Sequence, residues 1–248
     1  GSRYAHTGQL VNPALPYKCV VQSNSWGGGL ATAYNSVSQN MDLILFDHDR
    51  ISICQSQSNS GDQDSRPEAW AKNVISVGGI YHHNTAPKND DEWSGGASIG
   101  PAADGRIKPD LASFYDDILC TDMVGGAGYS GSNYNSGFGG TSGATPIVAG
   151  HLALLYQMWH EGLFGNPTPG ATVFENAPYN TTAKALLINS ASQWTFSGAG
   201  HDLTRMHQGW GHPDLERVSL PTSRMFLVGV SDVLGEVETK DYPLQVVS

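Results

Sequence analysis

Charged residues are scarce in this sequence, and basic ones are scarcer still. Only 15% of its 248 residues are charged, and 13 Lys and Arg stand against 23 Asp and Glu, for a formal net charge of −10. A protein that tracks phosphates along a nucleic acid needs a clustered basic stripe. The basic residues here are too few and too dispersed to form one, so the sequence argues against nucleic acid as a partner.

Long apolar runs and obvious cysteine pairs are also lacking. No apolar run approaches the roughly 20 residues of a membrane-spanning helix, so we expect no membrane partner. The three cysteines, Cys19, Cys54 and Cys120, do not have zinc-type spacing. They allow at most one disulfide within the chain, and three buried thiols are at least as good an interpretation.

We do not expect the first residues to be a signal peptide, because no apolar core follows Gly1 and Ser2. The isoelectric point of about 5.2 fits a secreted or periplasmic protein. We therefore expect an extracellular or periplasmic location.

Glycine and proline are abundant, with 30 and 13 residues, which is typical of an enzyme whose site is built from loops on a buried scaffold. Short β-branched runs alternate with segments of helical apolar spacing. This order predicts right-handed parallel crossovers and hence an α/β fold around a parallel sheet. The predicted strands are residues 18–25, 50–54 and 73–80, and the predicted helices are residues 30–46, 144–158 and 183–191.

The stretch GGTSGATPIVAG, residues 139–150, carries the strongest chemical pattern in the chain. Gly139 and Gly140 allow the backbone to approach a ligand closely, and Ser142 opens a helix, where the positive end of the helix dipole lies. Thr141 or Ser142 could simply cap that helix. The full string is far more specific than a cap, and it makes Ser142 a candidate nucleophile.

Five segments in order resemble the subtilisin-like serine proteases, in particular the alkaline, high-molecular-weight branch with a C-terminal β-sandwich domain. The resemblance covers roughly residues 17–218 and implies a three-layer subtilisin-like fold. The five segments are NSWG at 24–27, NSG at 59–61, AKNVISVG at 71–78, DGRIKPD at 104–110 and GTSGATP at 140–146.

The resemblance implies a role for each matching residue. Ser142 would attack the peptide carbonyl, and Asn59 would donate to the developing oxyanion together with the backbone N–H of Ser142. A polypeptide substrate would pair with the backbone of Ser25, Trp26 and Gly27 and would lie close to Gly140. Two other interpretations are that Asn59 is an ordinary turn residue and that Trp26 belongs to the core.

The opposite wall of the substrate pocket would be formed by Gln57 and Ser58. Here the chain departs from the family, which has small residues and a glycine before the asparagine, so we expect a narrowed or twisted pocket. A second departure follows Asp110, where the family has an A-P-G turn and this chain reads ASFYD at 112–116. We expect that loop to run differently.

The family's D-[ST]-G and H-G-T-H segments, which carry its catalytic aspartate and histidine, are absent from this sequence. None of the nine histidines has the required context. Without a general base, the Ser142 hydroxyl is a poor nucleophile. We therefore expect the fold to lack its N-terminal part and its own N-terminal segment to be a partner. The histidines are His6, His48, His82, His83, His151, His160, His201, His207 and His212.

The predicted domains are a C-terminal portion of the catalytic domain, residues 1–218, and the start of a β-sandwich, residues 219–248. From Arg224 the pattern changes to alternating strands, MFLVGV and DYPLQVV. Asn180, Thr181 and Thr182 also form a glycosylation sequon.

Two functions follow from the sequence. One is a serine endopeptidase whose aspartate and histidine come from a missing N-terminal segment; the other is an inactive relative used for binding or scaffolding. We predict no cofactor and no metal ligands, with a structural calcium ion at an unlocated site left open.

Overall fold

A computed structural model describes residues 2–12, 14–124, 128–195, 204–219, 227–228, 232 and 234–243. The helices are α1 (Arg3–Val11), α2 (Ser36–Asp47), α3 (Thr141–His160), α4 (Asn180–Ser190), α5 (Arg205–Gln208) and α6 (Leu215–Val218). The strands are β1 (Val21–Asn24), β2 (Ser52–Ser56), β3 (Ile75–Ile80), β4 (Leu111–Phe114), β5 (Ile118–Thr121) and β6 (Tyr134–Phe138).

The scaffold is a parallel sheet of four strands in the order β1-β2-β3-β4. Each neighbouring pair is parallel, with Val21 opposite Ser52 in the first pair and Val77 opposite Leu111 in the last. Strands β5 and β6 form a separate antiparallel pair. Among the described strands, β1 has a partner on one side only.

Helices cover both faces of the sheet and make three layers. Alternate residues of a strand point to opposite faces, and β2 shows this clearly. Cys54 packs in the cluster that contains the buried residues of α3 and α4, whereas its neighbour Ile53 packs with α2. The predicted α/β architecture with a parallel sheet is therefore present.

The three strands and three helices predicted between residues 18 and 191 are all found, with shifted ends. The predicted helix 30–46 begins only at Ser36, because Asn35 caps it. The Asn35 Oδ1 accepts from the N–H groups of Val37 and Ser38 at 2.9 and 3.4 Å, and the Ser38 hydroxyl accepts from the Asn35 N–H at 3.2 Å. This reciprocal cap outweighs the apolar spacing before residue 36.

The segment after Asp110 is the strand β4, which the sequence pattern did not reveal. Its first three residues are buried, and it pairs with β3. Asp110 itself is buried beside Lys108 and Lys184, at 2.8 and 2.9 Å. Burial alone would raise the pKa of Asp110, but the two lysines outweigh it and lower the pKa to about 2. This cluster of one carboxylate and two ammonium groups thus fixes the position at which β4 begins.

The structure shows the state of the three cysteines and of the glycosylation sequon. All three cysteines are free thiols; Cys54 is fully buried, while Cys19 and Cys120 are partly buried. Asn180, the sequon asparagine, is buried, and its side chain donates to the Leu45 carbonyl at 2.7 Å. A glycan cannot occupy that nitrogen in the folded protein.

The predicted strands at 225–230 and 241–247 lie largely outside the described residues, and the β-sandwich stays a prediction. In the described part of the chain, no helix combines the length and the apolar character needed to cross a membrane.

We predict that His212 makes the fold acid-sensitive. Burial, with His151 nearby, lowers the pKa of His212 to about 4. The unfolded chain binds this proton near pH 6.5, so stability falls between about pH 6.5 and pH 4, by roughly 3 kcal/mol. His212→Phe keeps a ring packed against Phe114 and removes the titrating group. The free energy of unfolding of this variant, measured with urea at several pH values, should therefore change less over this pH range. If the free energy of unfolding depends on pH in the same way in the wild type and the variant, the prediction is contradicted.

Candidate active site

The candidate site lies at the carboxyl edge of the parallel sheet, where ligands collect in open α/β folds. Ser25 follows β1, Asn59 follows β2, and Thr141 begins α3. These three segments are brought into direct contact, as the sequence predicts for Ser25, Asn59 and Ser142.

Gly139 and Gly140 bring the chain into the site by a route that other residues would obstruct. Gly140 has φ of +76°, and its N–H donates to the Tyr115 carbonyl at 2.6 Å. A Cβ on Gly139 would collide with that same carbonyl, and one on Gly140 would lie 3.2 Å from the Asn59 amide nitrogen. The two glycines therefore set the distance between Asn59 and the start of α3.

The Asn59 side chain is held in one orientation. Its Oδ1 accepts from both the backbone N–H and the hydroxyl of Thr141, each at 2.9 Å. An amide whose oxygen is used in this way has only its NH₂ group left to donate. Asn59 is solvent-exposed, so that donor is available to a ligand beside Ser142.

Ser142 is half-buried in the first turn of α3. Its Oγ donates to the Ser25 carbonyl at 3.4 Å. Its backbone N–H has no acceptor among the described residues, as expected for the open end of a helix. One side-chain donor and one backbone donor, from Asn59 and Ser142, thus lie next to the hydroxyl.

Pro146 explains why Ser25 lies so close. It is the sixth residue of α3, which begins at Thr141. Proline has no N–H to donate to the carbonyl four residues earlier, which is that of Ser142. The Ser25 hydroxyl donates to this carbonyl instead, at 2.9 Å. The proline therefore creates an acceptor that attaches α3 to the end of β1.

The backbone at Trp26 is supported by a chain of amides that the sequence pattern did not reveal. Gln22 donates to Asn24 at 3.0 Å, Asn24 to Gln55 at 3.3 Å, and Gln55 to the Trp26 carbonyl at 2.7 Å. Asn24 and Gln55 are buried. This network of amides holds the segment 25–27 in place, although the buried Gln22 Oε1 has no partner among the described residues.

Trp26 and the opposite wall differ in exposure. The Trp26 side chain is 45% exposed, so it is not a core residue, and the Arg3 guanidinium lies 4.7 Å from its ring centroid. Gln57 is fully buried, and Ser58 is nearly so. Ser58 has φ of +107°, a glycine-like conformation at the position where the family has glycine.

In the described part of the chain, no side chain forms a hydrogen bond with the Ser142 hydroxyl as a general base would. The Ser142 hydroxyl makes its one described hydrogen bond to Ser25, and no described histidine bonds to it. The described histidine nearest in sequence, His151, donates from Nδ1 to the Ile147 carbonyl within α3 at 2.9 Å. Three or more His, Cys, Asp or Glu side chains do not converge into a metal site anywhere in the described ranges. A structural calcium ion stays untested.

A serine at the open end of a buried helix, beside an oriented amide donor, is the arrangement of a serine peptidase built on an α/β scaffold. The chain belongs to the subtilase family, Peptidase_S8, whose family profile matches residues 1–211. The assignment to its alkaline, high-molecular-weight branch stays a prediction.

Two curated relatives agree with this assignment. The serine protease AprX of Bacillus subtilis (strain 168) is 30% identical over 146 residues, which are 49% of this chain and 33% of AprX. The serine protease/ABC transporter B family protein tagB of Dictyostelium discoideum is 34% identical over 113 residues, which are 42% of this chain and 6% of tagB. The chain spans a third or less of the length of these two relatives.

The solved structure of the prenylagaramide maturation protease PagA has a similar fold. It superposes with a TM-score of 0.60 at 18% identity, over 87% of this chain and 65% of that one. The predicted subtilisin-like three-layer fold is thereby confirmed.

We predict opposite effects for two glycine substitutions near and within α3. Gly140→Ala places a side chain at positive φ, in a backbone region that is essentially restricted to glycine, and against the Asn59 amide; it should lower the free energy of unfolding by about 1–3 kcal/mol. Gly150→Ala is the matched control, because its Cβ meets open space and alanine favours the helix; it should raise stability by about 1 kcal/mol. Urea unfolding of both variants is the measurement. A neutral Gly140→Ala would contradict the constrained entry to α3.

Proposed function

We propose that this chain carries the nucleophile and the oxyanion hole of a serine endopeptidase. The observation that supports it most directly is the Asn59 amide, whose oxygen is engaged by Thr141 so that its nitrogen donates beside Ser142. The backbone N–H of Ser142, which has no acceptor among the described residues, supplies the second donor that an oxyanion hole needs and that a purely structural asparagine would not need.

In the proposed reaction a polypeptide substrate pairs with the backbone of Ser25, Trp26 and Gly27. The Ser142 oxygen bonds to the substrate carbonyl carbon as its proton passes to a base. The carbonyl oxygen becomes negative and accepts from the Asn59 amide and the Ser142 N–H. The amine then leaves with a proton, and water hydrolyses the acyl group on Ser142.

The base is proposed to come from the protein's own N-terminal segment, carrying an aspartate and a histidine. Among the described strands, β1 is one of the two edge strands of the parallel sheet, and this supports the proposal because a strand edge with free backbone groups accepts another strand. Ser142 contacts Ser25, directly after β1, so a strand added at that edge lies next to the nucleophile.

The alternative is an inactive relative that binds peptides or acts as a scaffold. The observations that favour it are the strained Ser58 before Asn59 and the hydroxyl of Ser142 without a described base. The oriented Asn59 amide favours the peptidase, because a binding module gains nothing from an oxyanion donor. We also propose an extracellular or periplasmic location, which the acidic composition supports.

We predict that a fluorophosphonate probe labels Ser142 in the full-length protein. Ser142→Ala should abolish labelling. Asn59→Ala should slow it without abolishing it, by about 10²–10³-fold, the loss measured for one oxyanion donor in subtilisin. The labelled residue is identified by mass spectrometry. Undiminished labelling of Ser142→Ala would show that the nucleophile is another residue.

We further predict that the 248-residue chain alone hydrolyses a fluorogenic peptide no faster than its own Ser142→Ala variant. Among the described residues, no basic side chain hydrogen-bonds to the Ser142 hydroxyl, and a triad serine without its histidine retains only about 10³–10⁴-fold catalysis over water. Adding the N-terminal segment in trans should restore turnover. Hydrolysis by the chain alone that Ser142→Ala removes would mean that the base lies within these residues.

A further inference from the structure

Arg66 spans the gap between the two segments that would enclose the substrate residue before the scissile bond. Its backbone N–H donates to the Gln57 carbonyl at 3.3 Å, on one wall. Its side chain reaches the other wall, where a Cβ on Gly27 would meet the Arg66 Cβ, Cγ and Cδ at 2.7–2.8 Å. The Arg66 Nη1 donates to the Gly28 carbonyl at 2.7 Å. The residue therefore joins the two segments and would form the floor of the proposed pocket.

The charges around this floor do not cancel. Glu68 is fully buried, and its carboxylate accepts from the Gly28 N–H at 3.0 and 3.1 Å and pairs with Arg3. Arg66 has no ion-pair partner among the described residues. Two guanidinium groups and one carboxylate thus surround the segment 26–28, and the excess is positive in a chain of net charge −10.

A guanidinium in such a place suits a carboxylate ligand. Arginine has five N–H donors in a planar fork, and the Gly28 carbonyl engages one nitrogen of Arg66. The remaining donors match the two oxygens of a carboxylate, and hydrogen bonds between charged groups are about twice as strong as neutral ones. A half-buried guanidinium is also screened less by water than an exposed one.

We propose that Arg66 selects substrates with an acidic side chain immediately before the scissile bond. This inference rests on the proposed peptidase function and specifies its substrate class. The competing possibility is that Arg66 only fills the pocket, so that a small side chain is preferred whatever its charge.

The test is cleavage by the full-length protein of internally quenched peptides that differ only in the residue before the scissile bond: Glu, Gln, Ala, Phe or Lys. We expect kcat/KM for the Glu peptide to exceed that for the Gln peptide by roughly 10- to 100-fold, the range of one charged hydrogen bond. Arg66→Gln should remove this ratio, and Arg66→Glu should shift the preference to Lys. Arg217→Gln, which removes an exposed cation on α6, is the matched control and should leave the ratio unchanged.

Two results would overturn the proposal. One is equal kcat/KM for the Glu and Gln peptides in the wild-type protein. The other is an Arg66→Ala variant that cleaves after Phe faster than wild type and after Glu equally well, as a filled pocket requires.

Failure of the peptidase function itself is distinguished by two further measurements. A fluorophosphonate without a peptide reports on Ser142 alone and should label the Arg66 variants at the wild-type rate. Should wild type not be labelled, calorimetry on the 248-residue chain still tests Arg66 with acetylated peptides that end in Glu or Gln. The Glu peptide should bind roughly 10- to 100-fold more tightly, and Arg66→Gln should abolish the difference. Equal binding would overturn the role of Arg66.

Discussion

One oxygen atom, the Oδ1 of Asn59, joins the two parts of the candidate site. It accepts from the backbone and the hydroxyl of Thr141, so the loop after β2 is attached to the first residue of α3. The same bonds orient the amide nitrogen and fix where the helix begins. Because Ser142 follows Thr141 directly, the positions of the nucleophile and its donor are set by one contact.

The sequence predicted the parts of the site that short motifs define. Ser142 follows the glycine pair at 139–140, and Asn59 comes directly before Ser60 and Gly61 in a turn-forming segment; the structure places both at one edge of the sheet. The motifs contain no information on contacts between distant segments. Arg66 reaches Gly27 across 39 positions, and nothing in the sequence around either residue indicates that they meet.

Element boundaries and accessibility were harder to predict, for related reasons. Apolar spacing favoured a helix from residue 30, but the reciprocal hydrogen bonds of Asn35 and Ser38 decide its start. Asn180 lies in a complete glycosylation sequon, but its side chain donates a hydrogen bond to the carbonyl of Leu45, 135 positions away. In both cases a polar side chain had a backbone partner that a pattern of apolar residues does not reveal.

The central place of α3 has a consequence for how the chain folds during its synthesis. Residues of β2, β3 and β4 that pack in the α3 cluster, Cys54, Ile75, Val77 and Leu111, are all made before Thr141. At roughly 5–20 residues per second, the ribosome leaves that apolar face without its covering helix for several seconds. Parallel strands exposed in this interval are prone to aggregate, so the nascent chain has a stage at which a chaperone that covers apolar surface is of most use.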